Sequence, residues 1–345
     1  MRIAIDVMGG DNAPDAILDG ALDALELLAD DDQLVLVGDE AIIKDVIAER
    51  GLSGESRIVI DPTTQVIAMD DPPVTAIRTK PDSSIVRIAR LGGKRSLKDG
   101  EHCEIVISAG NTGAMVAAAQ MSMRRLPGVH RPGIVVVMPT FHGPVVLCDV
   151  GANPEPRATH LHQYGLMAAG YAEKMIGIEN PRVALLSIGS EEAKGNTLVK
   201  EASAIMKKDP FLNYVGYAEG RDLFDGKADV VICEGFTGNV VLKLAEGLAS
   251  GLFKTIAAEI FEHDPELAAR FEPVVKSIYK KHDYHEYGGA PLLGANGICV
   301  ICHGSSEARS IYAAIRTSIR FAKEQVNQSI VETLEKYETV DEGAA

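Results

Sequence analysis

Two stretches of this chain repeat one another: Glu104-Ile-Val-Ile-Ser-Ala-Gly-Asn-Thr-Gly-Ala-Met-Val116 and Asp229-Val-Val-Ile-Cys-Glu-Gly-Phe-Thr-Gly-Asn-Val-Val241, an offset of 125 residues from 104 to 229. Each reads acid, apolar run, Gly-x-Thr-Gly, apolar helix start. A continuous β-branched run bounded by glycine suits a strand buried on both faces. The glycines let the turn backbone approach a ligand before the helix opens, and the first N–H groups of that helix attract anions. One such turn is accounted for by the tight connection any parallel strand needs. Two, with others like them along the chain, point to a duplicated α/β architecture holding a phosphate-like or carboxyl-like ligand between its halves.

At 345 residues, 46% hydrophobic and 24% charged, the composition is that of a soluble globular chain with a sizeable core. The 34 basic and 49 acidic residues give a net charge of −15. That charge repels nucleic acid and anionic membrane except where basic groups cluster, so nucleic acid is not an expected partner. The five cysteines sit mostly in apolar strands, as reduced thiols of a cytosolic protein do. Cys299 and Cys302 form a Cys-x-x-Cys, but strand residues three apart face opposite ways and do not chelate one metal. The chain opens on strand-like Arg2–Asp6 and has no apolar run near roughly 18 residues, so a protein neither secreted nor membrane-spanning is expected.

Apolar runs at 3–7, 34–37, 58–60, 105–107, 134–137, 145–150, 183–188, 214–217, 230–233 and 298–302 give about ten strands. Helical patterns lie between them, at 13–28, 112–123, 159–175, 198–206 and 306–326 among others. This alternation predicts a doubly wound, largely parallel sheet with helices on both faces. Polar and glycine residues follow many strands: Met8–Asn12, Ser108–Gly113, Asp149–Asn153, Gly189–Asn196, Glu234–Asn239 and His303–Ser306. Ligands bind at the carboxyl ends of strands in such sheets, so these turns are expected to converge on one cleft. The stretch Asp61–Ser84, with four prolines, reads as a surface loop. In it Arg78, Lys80, Ser83 and Ser84 are either phosphate contacts or a solvated polar surface. After Val340 the chain is acidic and small-residued, a frayed tail.

Several chemistries are excluded by their missing motifs. No two glycines are separated by a single residue, which removes the dinucleotide fingerprint, and neither a Gly-x-x-x-x-Gly-Lys-Ser/Thr loop nor a Gly-x-Ser-x-Gly elbow occurs. His142, His160, His162 and His303 lack helical metal-ligand spacing with acids. What remains is the loop Ser187–Asn196, with one cation, Lys194, among backbone donors. Lys194 is either a point charge for phosphate or a developing oxyanion, or simply solvated. Asn239, opening the helix of the second repeat, either donates its amide to an oxyanion or caps the helix.

Seven motifs in order then carry a resemblance. They are Ile5–Asp11, Met69–Pro73 with Arg78–Ser84, Ser108–Ala114, Asp149–Asn153, Gly189–Asn196, Glu234–Asn239 and Gly288–Gly294. Together they resemble the bacterial phosphate acyltransferase family (PlsX), from Met1 to about Gln325. The resemblance implies transfer of a fatty acyl group from acyl-acyl carrier protein to inorganic phosphate, giving acyl phosphate for phospholipid synthesis. It implies a three-layer α/β/α mixed sheet of two pseudo-symmetric halves, like isocitrate and isopropylmalate dehydrogenases and phosphotransacetylases. It also implies a homodimer that is cytoplasmic and peripherally membrane-associated. The family's catalytic lysine and asparagine fall on Lys194 and Asn239. One large unit is expected over 1–330, with halves 1–150 and 151–330, a protruding helix pair at 247–287 and an acidic tail at 331–345.

Phosphate is itself the nucleophile in such a reaction, so the protein must position it, offset its charge and stabilise a tetrahedral oxyanion. Lys194 is assigned to phosphate charge and Asn239 to the oxyanion. Phosphate or substrate contacts are assigned to Gly9, Gly10, Asp11, Asn111, Thr112, Gly113, Ser190, Glu191, Asn196, Thr237 and Gly238. No metal or organic cofactor is needed, and a thiolate leaves without strong acid assistance because its conjugate acid has a pKa near about 8.5. Within 247–287, Leu252, Phe253, Ile256, Ile260 and Phe261 form one apolar stripe, and Leu267, Phe271, Val274, Val275 and Ile278 another, ending at Lys276, Lys280 and Lys281. These face lipid, a dimer mate or each other. Arg124, Arg125 and Arg131 are basic candidates for an acidic carrier protein. The alternatives are a metal- and NAD-dependent decarboxylating dehydrogenase on the same fold, and a noncatalytic membrane scaffold.

Overall fold

A computed structural model of the protein describes residues 1–263, 267, 270–274 and 288–343. The strands are β1 (Arg2–Asp6), β2 (Gln33–Gly38), β3 (Ile58–Pro62), β4 (Ile105–Ser108), β5 (Gly133–Thr140), β6 (Gly143–Cys148), β7 (Val183–Leu186), β8 (Tyr214–Ala218), β9 (Val230–Ile232), β10 (Ala290–Leu293) and β11 (Ile298–Ile301). The α-helices are α1 (Asp15–Asp23), α2 (Glu40–Glu49), α3 (Pro73–Thr79), α4 (Ser84–Leu91), α5 (Ser96–Asp99), α6 (Thr112–Ser122), α7 (Ala158–Tyr171), α8 (Thr197–Met206), α9 (Gly235–His263), α10 (Ala308–Lys323) and α11 (Val326–Gly343).

All eleven strands join one mixed sheet in the order β3-β2-β1-β4-β11-β10-β5-β6-β9-β7-β8. Period-2 alternation divides their side chains between two cores. Ile3, Ile5, Ile105, Ile107, Val230 and Ile232 face the core shared with α1, α2, α7, α8, α10 and α11. Ala4, Val106, Val231 and Cys233 face the other, which α3, α4 and α6 cover and against which Val241, Leu242 and Ala245 of α9 pack. The molecule is therefore three-layered. Cys299 joins the second core and Cys302 the first, so the two thiols of the Cys-x-x-Cys lie on opposite faces of the sheet.

Strand direction reverses in the middle. β10 is antiparallel to both β11 and β5, and β5 is antiparallel to β6, whereas every other pairing is parallel. Hence β1 to β5 and β11 run one way, and β6 to β10 the other. In order and direction, a twofold axis normal to the sheet between β10 and β5 carries β1, β2, β4, α1 and α6 onto β7, β8, β9, α8 and α9. The 125-residue sequence repeat is the β4–α6 and β9–α9 pair of that operation.

Four expectations are corrected. An eleventh strand, β10, lies within Gly288–Gly294, where Pro291 and flanking glycines mask a four-residue strand. The supposed loop 61–84 contains α3, started by Pro73 in the first turn, where its missing N–H costs nothing. Residues 331–343 are no tail but the body of α11, held by Val326, Ile330 and Leu334 at i, i+4 and i+8 in the first core. Finally, the halves do not divide at residue 150: β6 pairs with β9, while β11 returns to pair with β4.

Helix α9 runs continuously through 29 residues. Val240, Leu244, Leu248, Leu252 and Ile256, four apart, are 36–68% exposed, so the apolar stripe begins three turns before the Leu252 from which it was drawn. Much of the second stripe, with Val275, Ile278 and the lysines 276, 280 and 281, lies outside the described residues. No helix among the described residues is long and apolar enough to cross a membrane.

Candidate active site

Because the two halves run oppositely, their carboxyl-end turns open at opposite edges of the sheet. The turns form two groups where one cleft was expected. In the first, the amide of Asp11 donates to the carbonyl of Gly304 at 2.7 Å. The buried Asp6 carboxylate accepts from Ser108 Oγ at 2.6 Å, and Ser108 Oγ accepts from the Gly110 amide at 3.0 Å. A Cβ on Gly9 would stand 2.8 Å from the Gly110 amide nitrogen, so the turns after β1 and β4 touch only because Gly9 lacks one. In the second group, the Gly235 amide donates to the carbonyl of Asn153 at 2.8 Å, and Gly151 lies beside the Asn239 side chain.

A cavity of about 380 Å³ on the second face joins the groups across the centre of the sheet. Ile134, Val136, Val150, Ala290 and Ile301 give it an apolar floor, and Asp11, Thr112, Gly113, His303 and Gly304 close the first-group end. Asn239, Leu242, Lys243 and Glu246 wall it from α9, at i, i+3, i+4 and i+7, one face of that helix.

The two repeats are not equivalent there. In the first, Asn111 caps α6, accepting from the Ala114 amide at 3.0 Å, while its Nδ2 donates to the carbonyls of Ala68, Met69 and Asp71 at 3.0–3.1 Å. Its side chain is thus fully used in holding the 68–71 segment. The amides of Thr112 and Gly113 make no hydrogen bond among the described residues and lie at the cavity. Two unpaired N–H groups at a helix start form an anion site. In the second repeat, Glu234 supplies its own anion: its carboxylate accepts from the amides of Phe236 (2.7 Å) and Thr237 (3.0 Å) and from the Thr237 hydroxyl. The Gly238 amide is taken by the Glu234 carbonyl at 3.0 Å. At Thr237 and Gly238, assigned to phosphate from the sequence, the amides are thus taken within the turn, by the Glu234 carboxylate and the Glu234 carbonyl.

The expected residues sort accordingly. Asp11, Thr112, Gly113 and Asn239 line the cavity, with Gly9, Gly10 and Asn111 directly behind. Asn239 is not a cap, since α9 begins four residues earlier with Glu234 in that role. Lys194 does not line the cavity. It is exposed on the loop after β7, its chain lying over Gly189, in the loop that follows the strand next to β9. Ser190 and Glu191 are exposed beside it, and Asn196 caps α8 through the Val199 amide at 2.9 Å. Lys80 pairs with Asp71 at 2.5 Å. Sequence reasoning missed the apolar floor and Lys243, whereas His303 stands in a turn, His303–Ser306, that it had directed to the cleft. Lys243 was legible as the residue one turn beyond Asn239, but the floor comes from strands distant in sequence.

Electrostatics disfavour a protein thiol as nucleophile. Burial pushes Cys302, at the cavity, up to about 12, and Cys233 well above its ordinary value. Neither is a thiolate near neutral pH. Desolvation also raises the buried Asp149 to about 6 against four donors: the amides of Ile134, Ala152 and Asn153, and Asn153 Nδ2. This carboxylate ties the start of β5 to the turn after β6. No group of three or more His, Cys, Asp or Glu arranged to hold a metal occurs among the described residues.

Residues 1–329 match the family described as Fatty acid synthesis protein. The chain belongs to that family. It is 44% identical to Phosphate acyltransferase from Heliobacterium modesticaldum, over 98% of this chain and 97% of that one. It is 46% identical to Phosphate acyltransferase from Desulfitobacterium hafniense, over 97% of both. In fold it is similar to a phosphotransacetylase from Streptococcus pyogenes, with a TM-score of 0.60 at 17% identity, covering 96% of this chain and 94% of that one. A branched-chain phosphotransacylase from Enterococcus faecalis V583 superposes with a TM-score of 0.54 at 15% identity, over 93% and 98%. For this member of the Fatty acid synthesis protein family, these likenesses extend along the whole sheet.

Proposed function

We propose that the chain transfers a fatty acyl group from an acyl-acyl carrier protein thioester to inorganic phosphate, yielding acyl phosphate for phospholipid synthesis. The observation that carries this reading is the cavity itself. It has an open amide pair for an oxyanion at one end, an apolar floor suited to methylenes, and an amide side chain, Asn239, on the wall between. The names of the relatives support the same chemistry. Phosphate sits on the amides of Thr112 and Gly113 and attacks the thioester carbonyl; Asn239 donates to the tetrahedral oxyanion, which collapses as the C–S bond breaks and the thiolate leaves. Lys194 offsets phosphate charge, which requires the 189–196 loop to bring its ammonium to the cavity mouth. This scheme uses no metal and no organic cofactor. The test is acyl phosphate formation, trapped as hydroxamate, from acyl carrier thioester and phosphate in excess chelator. Strict metal dependence sinks the scheme. The exposed α9 stripe supports a homodimer with peripheral contact to the cytoplasmic membrane, since contiguous exposed apolar surface marks an interaction face.

A further inference from the structure

In a chain of net charge −15, residues 124–133 carry three arginines and no acid. Arg125, His130, Arg131 and Arg157 are all exposed, and they gather around the His160 ring. The His130 and His160 rings meet edge-to-face with centroids 6.0 Å apart, the Arg157 amide donates to His160 Nδ1 at 3.0 Å, and an Arg125 guanidinium N–H donates to the His130 carbonyl. His160 is held below its ordinary value, first by burial and then by Arg131, His130, Arg157 and Arg125, which reports how closely the positive groups crowd. Glu155 is the one exposed acid within 124–160, and no ion pair among the described residues takes up Arg124, Arg125, Arg131 or Arg157.

A second feature sets this patch apart. Arg124 occupies the left-handed position just past the end of α6, at φ 69°, where glycine is usual. Its backbone is fixed there by its own amide on the Ala119 carbonyl at 3.0 Å and by the Asn296 amide on its carbonyl at 3.2 Å. The patch also adjoins the site: Arg131 donates to Asn153 Oδ1 at 3.4 Å, and the Asn153 carbonyl receives the first amide of α9, the helix that carries Asn239.

We infer that the surface formed by Arg125, His130, Arg131 and Arg157 docks an acidic carrier protein, delivering its thioester-bound acyl group to the Asn239 end of the cavity. This rests on the acyl-transfer reading above. An extended polyanion such as duplex DNA is repelled by the rest of the surface, whereas a compact acidic domain needs only a local basic footprint.

The test compares wild type with Arg125→Glu/Arg157→Glu, residues outside the catalytic and phosphate-binding set. Titration calorimetry with acidic carrier protein at low salt should show at least tenfold weaker binding in the variant, and wild-type binding should weaken steeply with salt. With acyl-carrier donor, kcat/KM should fall at least tenfold, while kcat/KM with a short acyl-pantetheine thioester stays within about twofold. Arg125→Lys/Arg157→Lys should retain most of the binding. Equal carrier binding by the Glu variant overturns the proposal, as does tighter wild-type binding of a duplex DNA than of the carrier. An equal fall with both donors also overturns it, placing the arginines in the chemistry. If wild type forms acyl phosphate from neither donor yet binds carrier through these arginines, the acyl-transfer reading fails and the docking surface stands.

Discussion

Adding one methyl group to each repeat should separate the roles of the two turns. A Cβ on Gly113 would lie 2.6 Å from Pro73 Cγ and 3.1 Å from its Cβ, and a proline ring cannot rotate away. Gly113→Ala gains about 1 kcal/mol of helix propensity and loses about 1 to 3 kcal/mol to overpacking, so its net effect on stability is small. The strain is relieved by pushing the start of α6 off Pro73, which moves the Thr112 and Gly113 amides. Losing one charge-assisted bond to phosphate, about 2 kcal/mol, raises the phosphate KM roughly 30-fold. A Cβ on Gly238 instead meets the backbone carbonyl of Asp149 at impossibly short range, with Cys233 Sγ 2.9 Å away. Gly238→Ala should therefore cost stability and lower kcat by displacing Asn239. Gly170→Ala, with nothing within 4 Å, is the control. The assays are phosphate saturation kinetics and thermal unfolding on all three. An unchanged phosphate KM in a folded Gly113→Ala protein would refute the open amide pair as the phosphate cradle.

Asn239→Ala should lose about 10²- to 10³-fold in kcat with its melting temperature near wild type, because Glu234 and not Asn239 caps α9; a large loss of stability with normal turnover contradicts this. Lys194→Ala should lose at least roughly tenfold activity with unchanged stability, and near-normal turnover removes it from the mechanism. Asp149, raised to about 6 from 3.8, favours the folded state most when protonated, so its contribution is full below about pH 4 and is lost as pH rises through 6. The destabilisation caused by Asp149→Asn, from urea unfolding, should accordingly be larger at pH 4.5 than at pH 7, by about 2 kcal/mol; the opposite slope means the four donors outweigh burial. Leu244→Ser with Leu248→Ser removes two residues 67% and 68% exposed on α9, and should abolish dimer formation or vesicle sedimentation without lowering the melting temperature. Both assays unchanged would make the stripe an idle surface.

The layers were legible because strand periodicity is local: Ile3, Ala4 and Ile5 announce two buried faces before any partner is known. The reversal at β10 and β5 was not. It depends on a strand that returns from residue 290 to sit between β11 and β5, which no local pattern reveals. The repeat identified α6 and α9 as the elements flanking the cavity, but its likeness concealed a difference of one side chain. Glu234 stands where the first repeat has Ala109, and that carboxylate closes one helix start while the other stays open. Reading Asn239 as a possible cap failed for the same reason, since the helix boundary lay four residues upstream. Lys194 was legible as the loop's cation, yet its reach to the cavity depends on a loop conformation that sequence does not encode.

The most direct test of the central claim is whether acyl transfer to phosphate occurs in one displacement. His303 Nδ1 lies 2.8 Å from Ser305 Oγ beside the cavity, so a serine acyl-enzyme is the concrete competitor. Intact-protein mass spectrometry after rapid quenching, with acyl-acyl carrier protein and no phosphate, should show the protein at its unmodified mass. Adding phosphate should then release acyl phosphate and free carrier thiol in equal amounts. A protein acylated in the absence of phosphate, with the label on Ser305 or any other side chain and discharged when phosphate is added, would contradict direct attack on the thioester.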